Sequence, residues 1–204
     1  MNRQISAIER LQSLPRVFRG ADLTVRFQWT SKTASHYLYL WKRRDLVAGL
    51  GGHSDVFANL LIDRHPDWAT ALRMVMPSAV VIGIEALRQA GWTTQIPRAP
   101  TVAVDDTQPV YTTAHFDINR RDPAWFAATR AGLQPAAGAL PVLAPAWALA
   151  DMLAADGWAG CGLDTDDIDW SEITEQDQAQ WGHACAALGL PTVNLLSMAD
   201  RASA

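Results

Sequence analysis

Asp22 to Arg44 reads DLTVRFQWTSKTASHYLYLWKRR, and its apolar spacing, central hydroxyls and late cations predict a helix-turn-helix. Leu23 and Phe27 stand one turn apart in a first helix over Ala21 to Phe27. Trp29, Thr30 and Ser31 then break the pattern with hydroxyls suited to capping the next helix. That second helix runs from Lys32 to Arg44. At 3.6 residues per turn, Ala34, Tyr37, Leu38 and Trp41 fall on one side, and Lys32, Ser35, His36, Tyr39, Lys42 and Arg43 on the other. The first side is built to pack. The second combines cations for phosphates with groups able to reach base edges, the make-up of a recognition helix in a DNA major groove. A solvated amphipathic helix has the same pattern, so the flanking sequence must separate the two readings.

Downstream, LVAGLGGHSDVFANLLI from Leu46 to Ile62 is apolar but broken at Gly49, Gly51 and Gly52. Strand, glycine turn and returning strand fit that composition. A hairpin directly after a recognition helix is a wing. Upstream, Ile5, Ile8 and Leu11 recur at three-residue spacing until Pro15, giving a first helix. Residues 1–62 are therefore expected to form a winged-helix DNA-binding domain. Asp63 to Trp68, IDRHPDW with its preceding isoleucine, gathers charge and a helix-breaking proline, and the domain boundary is placed there.

Charge sharpens this reading. Residues 1–50 hold nine cations against three anions, a balance of +6, so a chain of net charge −4 leaves −10 for the other 154 residues. An acidic body repels nucleic acid in general, and a basic module confines attraction to one surface. At 204 residues and 49% hydrophobic content, the chain is long enough for two cores. No basic start followed by an apolar run marks a signal peptide, and no apolar stretch is long enough for a membrane span. Cys161 and Cys185 are expected as reduced thiols. A cytoplasmic protein follows.

Residues 67–204 are expected to form an α+β domain. Trp68, Leu72 and Val75 predict one helix, and Ala79 to Ala90 a second ending at Gly91. Thr101 to Val104 and Val110 to Phe116 are predicted strands, separated by Asp105, Asp106 and Pro109. Asp122 to Ala131 opens with Pro123 and closes at Gly132, as a short helix. Leu140 to Leu143 is a candidate strand and Pro145 to Ala155 a helix. Thr174 with Asp177 resembles a capping box for a last helix ending at Gly189.

The order winged helix, then VVIGIEALRQAGWTTQIP at Val80 to Pro97, then LPVLAPAWALADML at Leu140 to Leu153, resembles the AbiEi-like antitoxins of type IV toxin-antitoxin systems. Gly83, Ala86, Leu87 and Gly91 match that family's small-x-x-x-A-L-x-x-x-G helix. Ala144, Ala148, Leu149 and Asp151 stand in for its A-x-x-A-L-x-D helix. The resemblance implies an amino-terminal domain that binds inverted repeats in its own promoter, and a carboxy-terminal domain that antagonises a nucleotidyltransferase-like toxin indirectly. It assigns DNA contact to Lys32, Thr33, Ser35, His36, Tyr39, Lys42 and Arg43. The wing departs from the family: Arg or Lys is frequent there, and this chain has only His53 near the tip.

Rival chemistry finds little support. Gly49, Gly51 and Gly52 fail the G-x-G-x-x-G pattern at Ser54, and no G-K-[ST] exists. Asp164, Asp166 and Glu175 imitate a calcium loop, but Ile168 and Asp169 occupy positions that need a ligand and a glycine; acidic helix caps explain these residues better. Cys161, His183 and Cys185 lack paired zinc spacing. No G-x-S-x-G turn marks a nucleophile. Of nine tryptophans, only Trp29 and Trp41 lie in the basic part, which argues against single-strand stacking. No enzyme activity, cofactor or metal is expected. Two alternatives stand: an enzyme, nuclease or nucleotide-modifying, that uses the winged helix for targeting, and a protein-binding module that uses it for a partner.

Overall fold

The computed structural model describes residues 6–135, 140–191, 194, 195, 197 and 198. The chain is a mixed α/β protein of two compact units, one comprising Met1–Pro77 with Tyr111–His115, the other Ser78–Val110 with Phe116–Ala204.

The first unit opens with α1 (Ala7–Gln12), whose Ser6 and Glu9 cap each other reciprocally. β1 (Val17–Arg19) leads directly into α2 (Gly20–Phe27). Asp55, from a distant loop, accepts the Ala21 N–H at 3.1 Å and so satisfies one of the first-turn donors of α2. Gln28, at φ 56°, turns the chain out of that helix. α3 (Ser31–Arg43) follows, then the hairpin of β2 (Val47–Gly49) and β3 (Val56–Asn59). The sheet runs β1-β3-β2, all antiparallel, with Phe18 opposite Phe57 and Ala48 opposite Ala58. Leu11, Leu14, Phe18, Leu23, Ala34, Trp41, Val47 and Phe57 form one buried core, to which α1, β1, α2, α3, β2 and β3 each contribute an anchor. Buried Asn59 stitches it: its Nδ2 donates to the Leu11 carbonyl at 2.8 Å and the Leu14 carbonyl at 3.4 Å.

The unit does not end at Asp63 to Trp68. α4 (Trp68–Val75) packs on β3 and β1, and the Arg19 guanidinium donates to the Met74 carbonyl. These contacts carry the boundary to Pro77, because a proline can turn a chain without ending its core.

In the second unit the sheet order is β6-β5-β4-β8-β7. Its members are β4 (Val80–Val81), β5 (Thr101–Asp105), β6 (Asp117–Arg121), β7 (Leu133–Gln134) and β8 (Val142–Leu143). The β4–β8 and β5–β6 pairs are parallel, and the β4–β5 and β7–β8 pairs antiparallel. Its helices are α5 (Gly83–Gln89), α6 (Pro123–Thr129), α7 (Pro145–Gly160) and α8 (Glu175–Leu188). Pro145 to Met152 are all buried, so the first half of α7, apolar but for Asp151, forms the centre, packed against α5 and α8. Gly132 is obligatory beside it: a Cβ there would lie 2.4 Å from the Trp147 ring. The Thr174–Asp177 capping box opens α8, and Gly189 at φ 72° closes it.

Two expectations are corrected. Ala79 to Ala90 is not one helix, because Val80 and Val81 form the central strand β4 and Gly83, at φ +65°, resets the backbone before α5. A short apolar run of β-branched residues fits a buried strand as well as a helix turn. Val110 to Phe116 is not a strand either; the partner of β5 is Asp117–Arg121, whose polar sequence belongs to a sheet edge. Among the described residues no helix is long and apolar enough to cross a membrane.

Candidate nucleic-acid interface

Packing fixes α3 from one side. Thr30 caps it, accepting the Thr33 N–H at 3.2 Å, and the two threonine hydroxyls lie 2.9 Å apart. Trp29 stacks on Tyr37 with centroids 4.5 Å apart and an interplanar angle of 19°, and Tyr37 meets Trp41 at 5.8 Å. The Arg10 guanidinium covers Phe27 and Trp29 at 5.6 and 5.3 Å. Ala34 and Trp41 are buried, and Tyr37 and Leu38 half-buried. This is the packing side read from the sequence.

The opposite side is open. Lys32, Ser35, His36, Tyr39, Lys42 and Arg43 are all exposed, and the Arg43 guanidinium lies 5.8 Å from the Tyr39 ring. Among the described residues none of Lys32, Lys42, Arg43 and Arg44 pairs with a carboxylate. Three other cations of the unit are held by protein groups: Arg16 pairs with Asp63 at 3.6 Å, Arg64 donates to the Asp45 carbonyl at 3.4 Å, and Arg19 donates to the Met74 carbonyl. Four cations of α3 and its C-terminal cap thus stand without a carboxylate partner among the described residues, as does exposed Arg26 on α2. Thr33 departs from that row, being half-buried with its hydroxyl against Thr30.

His53 is exposed in the β2–β3 turn, where Gly51, Gly52 and His53 all have positive φ, at 111°, 56° and 61°. Between this turn and the last turn of α3 lies a cleft of about 350 Å³, lined among others by Lys42, Gly49 and Gly51 to Ser54. The Lys42 ammonium sits 4.7 Å from the Phe57 ring centroid. Ser54 Oγ is shut off from solvent and has no hydrogen-bond partner. Thr112 packs against the other side of the turn so closely that a Cβ at Gly52 would lie 2.5 Å from its carbonyl oxygen. His115 anchors that segment, stacked on Trp68 at 3.9 Å and 12°, and burial pushes its imidazole pKa down. Ser54 and Tyr111 to His115 carry no motif that marks them as functional from the sequence.

Several chemistry-bearing groups of the second unit are engaged within it. Asp151, 3% exposed, accepts Trp125 Nε1 at 2.6 Å and Arg121 Nη2 at 2.9 Å, tying α7 to α6 and β6. Ala144, Ala148 and Leu149 are buried around the same helix, and Gly91 takes φ +83° just after α5. The residues quoted for the family resemblance therefore have packing and turning roles here. Arg88, donating twice to Glu85, holds that carboxyl below its ordinary range, with Gln89 assisting. The Thr107 hydroxyl and amide do the same for Asp105. Asp164, Asp167 and Asp169 cap short turns, and Asp177 caps α8. Both cysteines are free, and burial raises the Cys185 thiol. Among the described residues no three His, Cys, Asp or Glu side chains are grouped to hold a metal.

No family model matches this sequence, and no curated protein matches it either. The fold resembles the crystal structure of the RV2827C protein from Mycobacterium tuberculosis, with a TM-score of 0.57 and 14% identity over 98% of this chain and 82% of that one. At that identity the likeness concerns the fold alone.

Proposed function

We propose that the first unit is a winged helix that binds double-stranded DNA, with α3 in the major groove and the β2–β3 hairpin as the wing. One observation carries this reading: Lys32, Ser35, His36, Tyr39, Lys42 and Arg43 form an exposed row free of carboxylate partners, on a helix whose other side is locked by Trp29, Tyr37 and Trp41. A rigid helix with unpaired cations and short polar groups meets the requirements of phosphate positioning and base readout together. Thr33 acts in this reading through the start of α3, and His53 at the tip of the wing.

Together with the family resemblance, the proposal extends to a cytoplasmic antitoxin that represses its own operon and antagonises a nucleotidyltransferase-like toxin through the second unit, without catalysing a reaction. The test is a titration of duplex DNA from upstream of the reading frame against random duplex. Lys42→Ala and Arg43→Ala should weaken both duplexes alike, and Ser35→Ala and His36→Ala should narrow the gap between them. Equal affinity for all four variants and the unaltered protein refutes the placement of α3.

A further inference from the structure

We propose that the cleft between the last turn of α3 and the β2–β3 turn is an oxyanion site that takes a phosphate group, held by Lys42, the amides of Gly51, Gly52 and His53, and the Ser54 hydroxyl. The inference rests on the DNA reading for its source of phosphate, a duplex backbone; free phosphate is the other source of the same chemistry.

Three features meet at this cleft. Lys42 brings a cation with no carboxylate partner to its wall. The amides of Leu50 and Ser54 are satisfied within the hairpin, by the Val56 carbonyl at 3.0 Å and the Gly51 carbonyl at 2.9 Å. The three successive amides between them, of Gly51, Gly52 and His53, donate to no group among the described residues. Consecutive backbone N–H groups of this kind make anion-binding concavities. Ser54 lines the same cleft, and its Oγ, closed off from solvent in this arrangement, lacks a partner; a change of χ1 rotamer is what would turn it to a bound oxygen. A buried hydroxyl without an acceptor is costly, and a phosphate oxygen supplies one.

Size and sign agree with this occupant. Gly49 leaves room for the ammonium, since a Cβ there would lie 3.3 Å from Lys42 Nζ. Asp55, the neighbouring carboxylate in the chain, does not line the cleft, because it is held at the start of α2 by the Ala21 amide. The site also answers the shortage of cations in the wing: the helix supplies the charge and the turn supplies the donors.

The experiment follows the amide resonances of Gly51, Gly52 and His53 in the full chain during titration with inorganic phosphate, against chloride at equal ionic strength. Phosphate should shift these resonances saturably and chloride should not. Ser54→Ala should weaken phosphate, and duplex of any sequence, by roughly tenfold, one charge-assisted hydrogen bond. The melting temperature should hold or rise, because the substitution removes an orphaned group. Equal shifts with chloride, or unaltered affinity for both phosphate and duplex in Ser54→Ala, overturn the site. Duplex binding without these shifts overturns the site and leaves the DNA reading standing. Shifts without duplex binding sustain the site and refute the DNA reading.

Discussion

Replacing Asn59 tests the scaffold beneath α3. The side chain is 1% exposed and bridges three backbone groups: it donates to the Leu11 and Leu14 carbonyls, and its Oδ1 accepts the Leu61 N–H at 3.3 Å. Two of those bonds are long, and the Leu11 carbonyl also accepts the Leu14 amide at 3.1 Å. The loss in Asn59→Ala is therefore about that of one well-made buried bond plus a partly stranded amide, roughly 2 kcal/mol. Asn59→Asp should cost more at neutral pH, since it sets a carboxylate against two carbonyls. Burial and those carbonyls favour the protonated acid, so its folded-state pKa lies above the unfolded value. The penalty is then largest at neutral pH and shrinks as pH falls and the acid regains a donor. Urea denaturation of both variants across pH, read by tryptophan fluorescence, makes the comparison. An Asn59→Ala loss below about 0.5 kcal/mol, the range of ordinary surface changes, would refute this account of β3 and α1.

Further outcomes follow from the same geometry. Gly132→Ala should destabilise the second unit by about 1–3 kcal/mol or more through overpacking against Trp147, measured by calorimetry. Asp151→Ala leaves Trp125 Nε1 and Arg121 without their acceptor and should cost about 3 kcal/mol, whereas Asp151→Asn should keep the Trp125 bond and cost less. His115 has a folded pKa below its ordinary value near 6.5, so the unfolded state binds more protons there. Stability should be complete above that value and fall as pH drops through it, and His115→Phe should flatten that part of the pH profile.

Most elements of the first unit were legible because local rules agreed with tertiary packing. The 3.6-residue period separated the two sides of α3, and the glycines marked the hairpin. β1 was not legible, since Val17 to Arg19 is too short to show a period and gains its partner 39 residues later in Phe57. In the second unit β4 looked helical because four apolar residues fit either period. β6 was invisible because an edge strand has no need of apolar alternation. The exposed row on α3 could be read from spacing, but the orphaned Ser54 hydroxyl, the free amides and the Thr112 contact depend on where distant backbone lies. Thr33, assigned to DNA contact only by the family resemblance, illustrates the limit: its amide and hydroxyl are taken up locally at the Thr30 cap.

Fluorescence anisotropy of the full chain with upstream duplex DNA, repeated across salt concentrations, tests the central claim most directly. With about four phosphates engaged, log affinity should fall against log salt with a slope near −3.6, and Arg43→Ala should reduce that slope by about 0.9. Absence of binding at low salt, or a slope near zero that Arg43→Ala leaves unaltered, would contradict it.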